Sequence, residues 1–103
     1  MSDNVIIKML DFNKSQSIAK DISIADMIYN VMHSAYLKDK KIEIDFYGIE
    51  DISKDFLGRS FSKLYTRIGR DNMRKFIIIK NADIVIFRKL KKMSEEIRSR
   101  KNP

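Results

Sequence analysis

Residues 42–61 read IEIDFYGIEDISKDFLGRSF and gather the groups in this chain best placed to do chemistry. Ser53 stands where a helix cap would stand, just before an apolar-periodic segment, with Lys54 and Asp55 next to it. A hydroxyl there has two uses. It can accept a backbone N–H from the first helical turn, which is the commoner use, or it can receive a phosphoryl group from a kinase. Phosphate at a helix N-terminus meets the positive end of the helix dipole. Asp55 complements the same dipole, an effect of about 0.3–1 kcal/mol. Asp45 and Asp51 are further carboxylates, but strand alternation puts Asp45 on a polar face and nothing forces the two together as an acid–base pair.

Signatures of catalysis are missing. The sequence has no G-x-x-x-x-G-K-[ST], no G-x-G-x-x-G and no H-E-x-x-H. It has three glycines, one histidine and no cysteine, so a thiolate nucleophile, a disulfide framework and a cysteine-ligated zinc site are excluded. No acid and nucleophile constellation is evident around His33, which reads instead as part of an aromatic edge with Tyr29 and Tyr36. The expectation is a non-enzymatic protein without cofactor or metal.

The elements that position Ser53 follow from periodicity. Residues 4–12 read as a first strand, and 13–22 as a polar loop with room for a short second strand. Ser23, with Asp26 three residues on, suggests the start of a helix whose apolar face is Ile24, Ile28, Val31, Met32 and Ala35. It should end near Lys38. Ile42, Ile44 and Phe46 alternate with Glu43 and Asp45, a strand with one buried face, and Gly48 ends it. A second helix is expected from Lys54 to Ile68, with Leu57, Phe61, Leu64 and Ile68 inward, Gly69 as its C-cap and RDN completing the turn. Gly58 lies inside this helix at a cost of about 1 kcal/mol relative to alanine, which the close approach of another backbone would explain. KFIIIK (75–80) reads as a strand buried on both faces. Asn81 then caps a last helix with Ile86, Leu90, Met93 and Ile97 inward, fraying in SRKNP. This order predicts one α/β domain over 1–103, with a mixed, mostly parallel four-stranded sheet and about three helices.

The formal charge is +7. It is concentrated: from Arg88 onward there are seven Lys/Arg against two Glu, whereas the preceding residues are nearly balanced. No apolar run approaches the roughly 20 residues that span a membrane, and the first residues lack the pattern of a signal peptide. The expected location is cytoplasmic.

The 42–61 stretch and the element order together resemble a STAS domain, the class that includes the anti-sigma-factor antagonists. Its pattern is a strand ending D-x-x-G-V, a short loop, then D-S-S-G-L-G at a helix start. Asp45, Gly48 and Ile49 match the strand exit, and Leu57 and Gly58 the closing L-G. The chain resembles still more closely the STAS-like family of unknown function, through IDFYGI, ISKDF and Asn81-Ala82, from about Val5 to Ile97. The resemblance implies docking of a histidine-kinase-like ATPase through Tyr47, Gly48, Ser53, Lys54, Asp55, Gly58 and Arg59. It also implies release when a serine at the helix start is phosphorylated. In this alignment the two serines of D-S-S-G fall on Lys54 and Asp55, its aspartate on Ser53 and its glycine on Phe56. Ser53 is therefore the phosphoacceptor only if the register shifts by one, and Asp55 otherwise stands as a fixed negative charge.

A second class of function rests on charge alone. Lys63, Arg67 and Arg70 on the second helix, with Arg88, Lys89 and Lys92 on the last, would suit nucleic-acid phosphates, although no base- or RNA-reading motif accompanies them. A third class, an oligomeric structural module, stays open, as does the oligomeric state.

Overall fold

The computed structural model describes residues 4–101, so positions 1–3 and 102–103 of the expected domain lie outside the described residues. Three parallel strands form the main sheet in the order β1 (Val5–Lys8), β3 (Ile42–Asp45) and β5 (Ile77–Lys80). A second parallel pair joins β2 (Ile18–Ala19) to β4 (Asp51–Ile52). The expected single mixed four-stranded sheet is thus corrected to five strands in two parallel sheets. Parallel neighbours need long crossovers, and helices supply them. Five helices stand where about three were expected: α1 (Met9–Phe12), α2 (Ile22–Leu37), a composite helix after Ser53, α5 (Arg70–Phe76) and α6 (Ile84–Lys101). The composite runs through α3 (Lys54–Leu57), a π-helical segment (Gly58–Ser62) and α4 (Lys63–Ile68) without leaving right-handed helical dihedrals at its junctions.

The differences have local causes. The first strand stops at Lys8 because MLDF holds no β-branched residue and the buried Asn13 closes a helical turn, its Nδ2 donating to the Met9 carbonyl at 2.8 Å. Asp21, not Ser23, caps α2. Its carboxylate accepts from the Ser23 N–H at 2.9 Å and the Ser23 hydroxyl at 2.7 Å, a charge-assisted cap. RDN opens α5 rather than a turn, after Gly69 reverses the chain at φ +87°. KFIIIK is divided: Lys75 and Phe76 finish α5, and β5 lies at the sheet edge with Ile77 and Ile78 half-buried and Ile79 exposed. Asp83, not Asn81, caps α6 by accepting from the Ile86 N–H at 3.1 Å. Instead of fraying from Ser99, α6 continues to Lys101.

One face of the main sheet is dry. Ile7, Ile42, Ile44 and Phe46 are fully buried against Ala25, Ile28 and Met32 of α2 and against Phe56, Phe61 and Leu64 of the composite helix. The rings of Phe46 and Phe61 lie 6.0 Å apart, joining the β3 exit to the π-helical segment. Ile86 brings α6 into the same core, with Leu90 and Met93 packed against it.

Candidate functional site

The site begins where β3 ends. The Phe46 carbonyl accepts from the Ile49 N–H at 2.9 Å, closing a turn with Tyr47 and Gly48 at its centre. Gly48 has φ +81°, and an added Cβ would lie 2.7 Å from Leu10 Cδ2. The positive φ calls for glycine, whereas the Leu10 methyl is the end of a flexible side chain that can give way. Tyr47 is left 72% exposed. Asp45 braces the turn from beneath, accepting from Asn81 Nδ2 and from the Tyr47 N–H, both at 2.9 Å. Those two bonds, the Asn81 one first, hold its carboxyl below the usual range. Asn81 therefore serves the β3 exit.

Ser53 follows β4. Its N–H donates to the Ala19 carbonyl at 2.8 Å, tying the helix start to β2. Its Oγ accepts from the Phe56 N–H at 3.1 Å, so Ser53 is the N-cap, as expected from sequence. Lys54, Asp55, Gly58 and Arg59 are all exposed beyond it. Among the described residues, nothing outside the helix's own adjoining backbone lies within 4 Å of a Cβ built on Gly58. The expected close backbone approach within the chain is therefore not there.

The composite helix has a repeat that explains its π-helical segment. Phe56/Leu57, Ser60/Phe61 and Leu64/Tyr65 are buried, in pairs four residues apart. A straight α-helix turns 400° in four residues, so such a stripe would drift by about 40° per repeat. A wider π turn absorbs the drift. The Ser60 hydroxyl helps, donating to the Phe56 carbonyl at 2.6 Å.

The opposite wall has the same repeat: Lys54/Asp55, Gly58/Arg59, Ser62/Lys63 and Thr66/Arg67 all line a groove of about 1070 Å³ between this helix and α6. Lys89, Lys92, Met93, Glu96 and Ile97 face them, and Ile22, Tyr29 and Leu57 contribute apolar floor. The two groups of residues singled out by sequence thus meet along one feature. Lys63, Arg67, Lys89 and Lys92 share it with Lys54, Asp55, Gly58 and Arg59, whereas Tyr47, Gly48, Ser53, Arg70 and Arg88 do not line it.

Some of these cations are anchored. Arg59 grips Asp26 with two bonds, at 3.1 and 3.2 Å, holding the Asp26 carboxyl below its usual range and raising the guanidinium further. Asp26 therefore pairs across to the composite helix rather than back into a capping box. Lys89 reaches Asp51 Oδ1 at 2.5 Å and the Ile52 carbonyl at 2.9 Å, clasping α6 to β4 and lowering the Asp51 carboxyl. Lys63 lies 4.4 Å over the buried Tyr29 ring, which stacks on His33 at 5.6 Å. The aromatic edge is divided, because Tyr36 turns to Phe76.

Sequence reasoning missed β4, the π-helical segment and the groove floor. The four-residue spacing of FL, SF and LY was the available signal for the π-helical segment.

Among the described residues, no three of His, Asp and Glu gather as a ligand set, and no helix is long and apolar enough to cross a membrane. Residues 25–87 match the family model described as a STAS-like domain of unknown function. No curated protein and no solved structure matches the chain.

Proposed function

Because the chain belongs to the STAS-like domain family of unknown function, we propose that it is a regulatory interaction module without catalytic activity of its own. Its partner is a histidine-kinase-like ATPase, docked through the β3 exit and the start of the composite helix. The observation that supports this most is the exposure of Tyr47, Lys54, Asp55, Gly58 and Arg59 on rigid, hydrogen-bonded backbone. Exposed aromatic, charged and bare-backbone surfaces suit recognition of a protein.

Control would act at the helix start. A phosphate on Ser53 would replace one cap acceptor with a more strongly charged one, beside Lys54 and the helix dipole. The domain would stay folded and the effect would fall on the partner. Unpaired charge in a desolvated interface costs several kcal/mol, or roughly a thousandfold in affinity.

Nucleic-acid binding is the second reading, favoured by Lys63, Arg67, Lys89 and Lys92 sharing the groove. The apolar floor and two carboxylates weigh against it, and steep loss of binding with salt would be its mark. The test is a pull-down from native lysate with wild type and Asp55→Arg, with mass spectrometry of bound proteins and bait. A kinase-like ATPase held by wild type and lost from the variant is expected, and phosphate on Ser53 would establish the switch. Recovery of nucleic acid alone, removed by moderate salt, would overturn the reading.

A further inference from the structure

We propose that the groove between the composite helix and α6 receives an acidic amphipathic helix of a protein partner, a proposal that rests on the docking reading above. Charge complementarity carries it. Six Lys/Arg side chains line the groove against two carboxylates, Asp55 and Glu96. Arg59 and Lys89 are compensated by Asp26 and Asp51. Lys54, Lys63, Arg67 and Lys92 have no carboxylate partner among the described residues. Net positive charge therefore flanks a floor whose open apolar surface is the exposed Ile22 and half-buried Met93, laid over the buried Tyr29, Leu57 and Ile97. An apolar stripe with acidic flanks satisfies both at once, the helix-in-groove mode of recognition.

The π-helical segment and Gly58 give the groove its form. A four-residue repeat in an unbroken α-helix would carry Arg59, Lys63 and Arg67 progressively around the axis. The wider turn keeps them in a row facing α6. The lined stretch from Lys54 to Arg67 is roughly 20 Å long at about 1.5 Å per residue, so the occupant is a helix of about 14 residues. Gly58 sits in that wall with helical φ and ψ of −60° and −39°, where alanine would be the better helix former. Among the described residues, none approaches closely enough to require the lack of a side chain there. The bare backbone leaves room for the occupant to lie against it.

The test pans a display library of 14-residue peptides, varied in charge and apolar spacing, on the whole protein, and titrates the winners as synthetic peptides. Winners with apolar residues at i, i+3, i+4 and i+7 and Asp/Glu on the flanks are expected. Their affinity should fall at least ~10-fold in Lys63→Glu/Lys92→Glu and likewise in Gly58→Leu, which fills the gap without breaking the helix. Neutral or basic winners, no winners, or binding unmoved by these variants would overturn the proposal. If binding is unmoved by them but lost in Tyr47→Ala, the groove proposal fails while the docking reading stands. If only a 20-base-pair DNA duplex binds, both fail.

Discussion

Ser53 caps the composite helix with its side chain. Its cap bond to the Phe56 N–H satisfies a donor that the helix cannot, so Ser53→Ala should lower stability by about 1 kcal/mol in chemical denaturation, while Ser53→Asp keeps the cap and loses little. Equal losses in the two variants would show that the hydroxyl itself matters to the fold. Gly48 is constrained by its positive φ. Gly48→Ala should cost about 2 kcal/mol; an unchanged denaturation midpoint would mean that the Tyr47–Gly48 turn can be remade. Gly58 behaves oppositely. Its dihedrals are helical and its surroundings open, so Gly58→Ala should raise stability by about 1 kcal/mol. A destabilised variant would show that the backbone there needs glycine for folding rather than for docking.

Among the elements, the composite helix holds most of the design. Phe61 projects from its π-helical segment into the core beside Phe46, and Phe61→Ala should cost about 3–5 kcal/mol, read as a lowered unfolding midpoint. A loss below 1 kcal/mol would mean the segment can slip back to α-helical register. Much of this architecture was legible in the sequence. The alternation of Ile42, Ile44 and Phe46 gave a strand buried on one side, and Ser53 and Gly69 correctly bracketed the composite helix. What stayed hidden has physical reasons. β4 is two residues long, too short for any periodicity. Phe76 belongs to α5, but KFIIIK reads as one apolar run because residue type does not mark the helix–strand junction. Asn81 has the right chemistry for a cap but is turned by its φ of +57° toward Asp45, leaving the cap to Asp83. Asp26 and Arg59 are 33 residues apart, and no local rule pairs them. The β3 exit and helix start stood out in the sequence, while the groove between the composite helix and α6 emerges only when the two helices pack.

At the scale of the whole molecule, carboxylates tie the layers together. Asp26 links α2 to the composite helix, Asp51 links β4 to α6, and Asp45 links the β3 exit to the loop after β5. All three, with Asp21, are held below the ordinary aspartate value of 3.8 by hydrogen bonds or cations. A carboxyl depressed in the folded state contributes fully above its unfolded pKa, and that contribution is lost as pH falls through the folded value. Stability should therefore be level from neutral down to about pH 5 and decline below about pH 4, where the net positive charge of the chain also grows. Thermal melts across that range check it; a decline already complete by pH 5 would contradict it.

Docking through a single surface is tested most directly by titrating the isotopically labelled protein with the ATPase recovered by pull-down and mapping the backbone amides that shift. Changes are expected at residues 47–59, extending along 62–67 and 89–97 if the groove is occupied. Changes confined to the outer sheet face around Ile6 and Glu43, with the composite helix unmoved, would contradict it.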